Sequence, residues 1–265
     1  MTDLAYVDVR PVLAKVADLE RELVLVGGQA VNFWASYYEA RVPELASEAP
    51  FTSKDIDFCG DQRAVRVCAE RLGGTPRVAT FDDATPNTGT VVFVDGAGVT
   101  RTLDIVSAPY GLDAAEVHAT ALPVEILDDA GASSGVRFYV MHPVLCMESR
   151  VHNVVGLPGY YDTDQGRKQL RASILFAREF LRDVLNGAMD AEDPSHAVMK
   201  LDERIFRFAT RDRHAKELYR AKGIDPAAAL IVDPRLSDEF RTRRYPQAGA
   251  PARSSRCGPC GSRPQ

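Results

Sequence analysis

Hydrophobic and polar positions recur with two different periods along the chain, and the changes from one to the other predict its elements. Between Val9 and Arg21 the apolar residues Val12, Val16 and Leu19 repeat at helical spacing, with Asp8 near the cap and Pro11 in the tolerant first turn. Leu23-Val24-Leu25-Val26 is a short unbroken apolar run suited to a buried strand. It stops at Gly27-Gly28, and Gln29 to Trp34 starts a second helix, so the first unit is strand, glycine turn, helix. Asp55-Ile56-Asp57-Phe58-Cys59 alternates as a half-buried strand does. Asp61 is placed to cap a helix over residues 62–72, which Gly73-Gly74 ends. Thr90–Val94 and Val99–Val106 flank Asp95-Gly96-Ala97-Gly98 as a β-hairpin, and Val124–Leu127 and Val136–Val140 are two further strands.

From His142-Pro143 onward the period is helical. The predicted helices are Val144–Val155, Lys168–Leu185 and shorter pieces between Ala197 and Lys222. The loop Gly156–Tyr160 separates the first two, and Asp162-Thr163-Asp164 is the cap of the second. From Tyr245 the chain is Pro, Gly, Ser and Arg, with too little apolar surface to fold. The expected plan is an α/β (α+β) domain over residues 1–141, a helical domain over 142–244 and a disordered tail over 245–265. The α/β domain should hold a mixed sheet with flanking helices.

Composition narrows the setting. An apolar fraction of 45% supports a buried core, and 26% charged residues is ordinary for a soluble protein. The chain has no run of eighteen apolar residues, and Met1–Ala5 does not begin a signal peptide. Five Cys without a framework spacing suit a reducing compartment, so a cytoplasmic protein with no membrane partner is expected. The net charge of −5 is uneven: residues 1–198 carry 17 Lys/Arg against 29 Asp/Glu, and residues 199–265 carry 15 against 8. An acidic body suits metal. The basic end is better explained by solvated helix surface and a tail, and the asymmetry does not establish nucleic-acid binding.

The acidic residues carry the candidate chemistry. Asp55 and Asp57, two apart on a strand, project from one face with Cα atoms about 6–7 Å apart. Two carboxylates so close need a cation between them or a proton on one, and oxygen-only ligands favour Mg²⁺ or Mn²⁺. An Asp-x-Asp pair alone is more often an exposed strand face or a turn. Asp104 adds weight: it lies in Thr102-Leu103-Asp104-Ile105-Val106, among apolar neighbours where a carboxylate is costly without a partner. Gly27-Gly28 lets backbone approach a phosphate closely, and the helix behind it offers free N–H groups.

In this order the residues Val26-Gly27-Gly28, Asp55-Ile56-Asp57-Phe58 and Leu103-Asp104-Ile105-Val106 resemble the nucleotidyltransferase superfamily, in particular its AbiEii-like branch of type IV toxin–antitoxin toxins. The resemblance covers roughly residues 20–110 by motif and extends to about 185 by the order of elements. It implies two Mg²⁺ ions and transfer of a nucleoside monophosphate from an NTP to a hydroxyl on RNA, protein or a small molecule. By the same resemblance Asp55 and Asp57 would hold both metals and the triphosphate. Asp104 would hold the catalytic metal and help activate the acceptor, and Gly27 and Gly28 would shape the phosphate cradle. Lys168 would contact the triphosphate, with Arg167, Arg171 and Arg150 as rivals, and an antitoxin protein would be a partner.

Two features depart from that pattern. The superfamily often has Gly-Ser where this chain has Gly27-Gly28, and 26 residues separate Gly28 from Asp55. An extended helix or insertion over Ser36–Ser53, overhanging the site, is expected there. The departures favour, as alternatives, a catalytically inactive member that binds nucleotide or a protein partner, and an antibiotic nucleotidyltransferase. Lys54 is expected on the opposite strand face. His118, His142 and His152 lack the spacing of a metal site, and Cys257-Gly258-Pro259-Cys260 lacks both the strand–helix context of a redox motif and a second pair for zinc.

Overall fold

The strand-forming runs assemble into one seven-stranded mixed sheet, in a computed structural model that describes residues 3–83, 85–127, 133–189 and 191–237. In chain order the elements are β1 (Leu4–Ala5), α1 (Tyr6–Val16), β2 (Val24–Leu25), α2 (Gly27–Glu39), α3 (Pro43–Glu48), β3 (Thr52–Ser53) and β4 (Ile56–Cys59). Then come α4 (Gln62–Leu72), β5 (Thr75–Val78), β6 (Asn87–Val94), β7 (Thr100–Val106), α5 (Ala114–Thr120), β8 (Leu122–Leu127) and β9 (Ser133–Val140). The described helices after the sheet are α6 (Pro143–Gly156), α7 (Asp164–Leu185), α8 (Pro194–Arg211) and α9 (Arg213–Lys222). The sheet order is β5-β6-β7-β4-β2-β9-β8, with β7/β4 and β2/β9 parallel and the other neighbours antiparallel. A separate two-stranded ladder pairs β1 with β3. Flanking helices and a mixed sheet are the fold class expected from the chain.

Several elements form for the reasons legible in their sequence. Asp61 caps α4 by accepting from the Ala64 amide, and Gly73 closes it. Thr163 caps α7 by accepting from Gly166 N. Other elements depart from expectation. The first helix ends at Val16, and residues Ala17–Glu22 tighten into a 3₁₀ turn that packs on β9. The expected extended helix over Ser36–Ser53 is instead the last turn of α2 followed by the separate α3. Pro43, lacking an N–H, can start a helix but not continue one. β5 was not predicted because Thr75, Pro76 and Arg77 are exposed on a sheet edge, where Pro is tolerated and no apolar pattern is needed.

The described residues up to Ile231 form one compact unit. The expected boundary at residue 142 falls at the start of α6, inside that unit. There α2 is the central helix: Trp34 and Tyr38 are fully buried, Trp34 Nε1 donates to Met141 O (2.9 Å), and its ring meets Phe180 of α7 edge-on. Tyr38 donates to Asp183 (3.1 Å), and Arg41 grips the same carboxylate through two bonds of 2.7 and 2.8 Å. The residues expected to form a tail, with Cys257 and Cys260, lie outside the described residues.

Candidate active site

The parallel pairing of β4 with β7 sets Asp57 directly opposite Asp104. Paired residues of adjacent strands project from the same face, and strands lie about 4.8 Å apart, so the two carboxylates face one another across the ladder. β2 runs antiparallel on the other side of β4, and Val26 N donates to Asp57 O (2.9 Å). That register delivers Gly27-Gly28, the first residues of α2, beside the Asp57 side chain. Both are glycines for measurable reasons. Gly27 has φ +62°, and a Cβ there would lie 2.2 Å from Asp57 Oδ2. A Cβ on Gly28 would lie 2.4 Å from Ser53 Oγ and 3.1 Å from Gln169 Nε2.

The second of these contacts explains the missing serine of the Gly-Ser pattern. The space beside residue 28 already holds the side chain of Ser53, which β3 delivers and which is buried. Gly28→Ala is therefore expected to cost about 1–3 kcal/mol by overpacking. Adding Ser53→Gly should restore part of that loss in urea denaturation. A double variant no more stable than Gly28→Ala would show that the contact is not the cause.

Asp55 is not on the strand. β3 belongs to the small ladder with β1, so the chain must bend at Lys54-Asp55 to enter β4 at Ile56, and Asp55 is exposed in that bend. Its charge still acts on both other carboxylates. Burial, then the Asp104 and Asp55 charges, push the Asp57 carboxyl up to about 6, against the opposing pull of Arg150 and the Gly28 N–H. Asp104 is likewise raised, by burial first and Asp55 second. Among the described residues, the oxygens of these three are not a group whose members all lie within 4.8 Å of one another.

The cation that acts on Asp57 is Arg150 of α6. It is buried, its Nη1 donates to Tyr160 Oη (2.6 Å) and Gln169 Oε1 (3.1 Å), and its Nε is buried without a partner among the described residues. Arg150 stood among the rivals to Lys168, but its network with Tyr160 and Gln169 was not visible, because it joins α6, a loop and α7. Lys168 itself donates to Pro50 O (2.6 Å) and lies over the Phe51 ring. Arg171 pairs with Glu48 of α3 (2.7 Å), and Arg167 donates to Tyr161 O and Asp162 O at the start of its own helix.

The chain matches no protein-family profile and no curated protein sequence. Among solved structures it is similar to an antigenic nucleotidyltransferase-like protein from Paracoccidioides brasiliensis, at 11% identity and a TM-score of 0.42, over 83% of this chain and 96% of that one. It is similar to JHP933 from Helicobacter pylori at 13% identity and 0.37, over 81% and 78%. It is also similar to the Megavirus polyadenylate synthase at 14% and 0.37, over 86% of this chain and 46% of that one. At such scores the likenesses decide nothing by themselves.

Proposed function

We propose that the chain is a divalent-metal-dependent nucleotidyltransferase that moves a nucleoside monophosphate from an NTP to a hydroxyl acceptor. The observation that carries this is the in-register pair Asp57–Asp104, set against a glycine-only helix start, with Asp55 acting on both. The residues fit a hard cation. All three donors are carboxylates, Asp57 is held above its ordinary range by burial and the Asp104 and Asp55 charges and Asp104 by burial and Asp55, and Asp57 is pressed against a glycine that leaves no room for a methyl group. Asp55, Asp57 and Asp104 would hold Mg²⁺ or Mn²⁺, which when bound supplies charge neutralisation and polarises phosphoryl oxygens.

The protein's own groups divide the remaining work. The Gly28 amide at the α2 N-terminus holds Asp57 in place, which makes that helix end first a carboxylate-positioning device and only then part of a phosphate cradle. Asp104, partly buried and raised in pKa, would help activate the acceptor hydroxyl. Arg150 offsets negative charge developing on the transferred group, with Tyr160 and Gln169 fixing its plane. Lys168 of α7, held against Pro50 and Phe51, serves the distal phosphates. Within this reading the finer assignment is an AbiEii-like toxin with an antitoxin partner, supported by the motif order and the helices after the sheet.

The test is direct. Purified protein, Mg²⁺ and each labelled NTP are incubated with the protein alone, with total RNA, and with hydroxyl-bearing small molecules including aminoglycosides. Mg²⁺-dependent labelling of one acceptor class is the expected result. Absence of labelling, together with absence of Mg²⁺-dependent NTP binding in calorimetry, would refute the proposal. Binding without transfer would favour the inactive, partner-binding alternative.

A further inference from the structure

Away from the carboxylates, α6 ends near the junction of α8 and α9, and three potential ligands meet there. His152 of α6, Asp212 between α8 and α9, and His214 of α9 offer ligand atoms that all lie within 4.8 Å of one another. His152 is separated from the other two by about sixty residues, so the spacing along the chain gives no hint of the group. We infer that His152, Asp212 and His214 form a binding site for a borderline-soft divalent cation of the Zn²⁺ type, with one coordination position open to solvent.

The distances argue for a cation rather than a simple ion pair. His152 Nε2 lies 3.4 Å from Asp212 Oδ2, and His214 Nδ1 lies 3.9 Å from Asp212 Oδ1. Charge-assisted hydrogen bonds close to about 2.7–2.9 Å, so neither contact is a well-made one. Ligands about 2.0–2.1 Å from a tetrahedral metal are themselves roughly 3.3–3.4 Å apart, which the first distance meets, while the second, to the other oxygen of Asp212, is about half an ångström longer. The donor set selects the ion: two imidazoles and a carboxylate suit Zn²⁺, whereas Mg²⁺ and Ca²⁺ take oxygen ligands.

The surroundings hold the ligands in place. Asp212 Oδ1 accepts from the backbone amides of His214 (2.8 Å) and Ala215 (3.0 Å), so the carboxylate is fixed by the helix cap while Oδ2 stays turned to His152. His152 is buried, packed edge-on to Phe208, and its Nδ1 has no hydrogen-bond partner among the described residues. Gly111 lies against the same ring, where a Cβ would come 2.0 Å from Nδ1. A buried imidazole with an unpaired ring nitrogen is costly unless its other nitrogen gains more than a long hydrogen bond. Asp212 and His214 keep 27% and 28% of their side-chain surface exposed, which leaves the fourth position to water or a ligand group.

The inference does not depend on nucleotidyl transfer. Tag-free, chelator-stripped full-length protein is titrated with Zn²⁺ by calorimetry and with Co²⁺ by visible absorption. The expected result is uptake of one equivalent of Zn²⁺, with a Co²⁺ spectrum of low coordination number that Zn²⁺ displaces. His214→Ala, and separately Asp212→Asn, which keeps a capping oxygen, should each weaken that uptake at least tenfold while circular dichroism stays unchanged. The Asp57→Asn/Asp104→Asn and Cys257→Ser/Cys260→Ser double variants should retain it. No stoichiometric uptake, uptake unaffected by His214→Ala and Asp212→Asn, or loss confined to either double variant would overturn the assignment.

Discussion

Asp57→Asn should lower Mg²⁺-dependent nucleotidyl transfer by about 10²–10³-fold or more, the scale seen when a single preorganised electrostatic group is removed from an active site. The same substitution should make the metal-free protein more stable. Asp57 is held at about 6 against an ordinary 3.8, so between those values the folded chain binds a proton that the unfolded chain has released. Stability contributed by this group is therefore present below about pH 4 and is lost as pH rises through 6. Removing the charge recovers a shift worth on the order of 3 kcal/mol above pH 7. The asparagine oxygen can still accept from Gly28 N. In chelator, then, Asp57→Asn should melt several degrees higher than wild type at pH 8 and show a flatter stability profile from pH 4 to 6. Transfer within tenfold of wild type, or a variant less stable than wild type in chelator, would contradict the assignment. Such a trade of stability for charge is what the proposed cation site would require.

Arg204→Met should destabilise the fold by about 3 kcal/mol, through a residue that touches none of the proposed chemistry. Arg204 of α8 makes two bonds of 2.7 Å to Glu148 of α6 and also grips Glu116 of α5. Glu148 is buried, and burial holds its carboxyl above the ordinary range even with Arg204 in place. Deleting the guanidinium leaves that carboxylate uncompensated, whereas Glu116 stays partly exposed and loses little. Adding Glu148→Leu to Arg204→Met should recover most of the loss, because the buried charge has gone with its partner. Urea denaturation of the two single variants and the double variant measures the coupling. Additive losses in the double variant would show that Glu148 and Arg204 act independently.

Much of the order of elements follows from period alone. The hairpin β6–β7, the capped helix α4 and the long α7 lie where alternation, Asp61 and Thr163 place them. These are local properties: a side chain on its own backbone amide, or a repeat of two against 3.6. The edge strand β5 and the 3₁₀ turn after α1 carry no such pattern, because exposure on a sheet edge and a tightening of the last turn need no particular apolar spacing.

The candidate site divides in the same way. Gly27-Gly28 and the three Asp residues stand out in the chain by residue type and neighbours, and that is as far as a one-dimensional pattern reaches. That Asp57 faces Asp104 was decided by the parallel β4–β7 register, and Asp55 left the strand because β3 joins a different ladder. That Gly28 has no room for a side chain was decided by Ser53, and Arg150, the cation that acts on Asp57, is held by Tyr160 and Gln169. His152, Asp212 and His214 met only through the packing of α6 on α9. The sequence by itself determined which residues would be expensive to bury or could approach a phosphate. Only the tertiary structure decided which of them share a site, because charge acts through distance in space and the chain records only distance along itself.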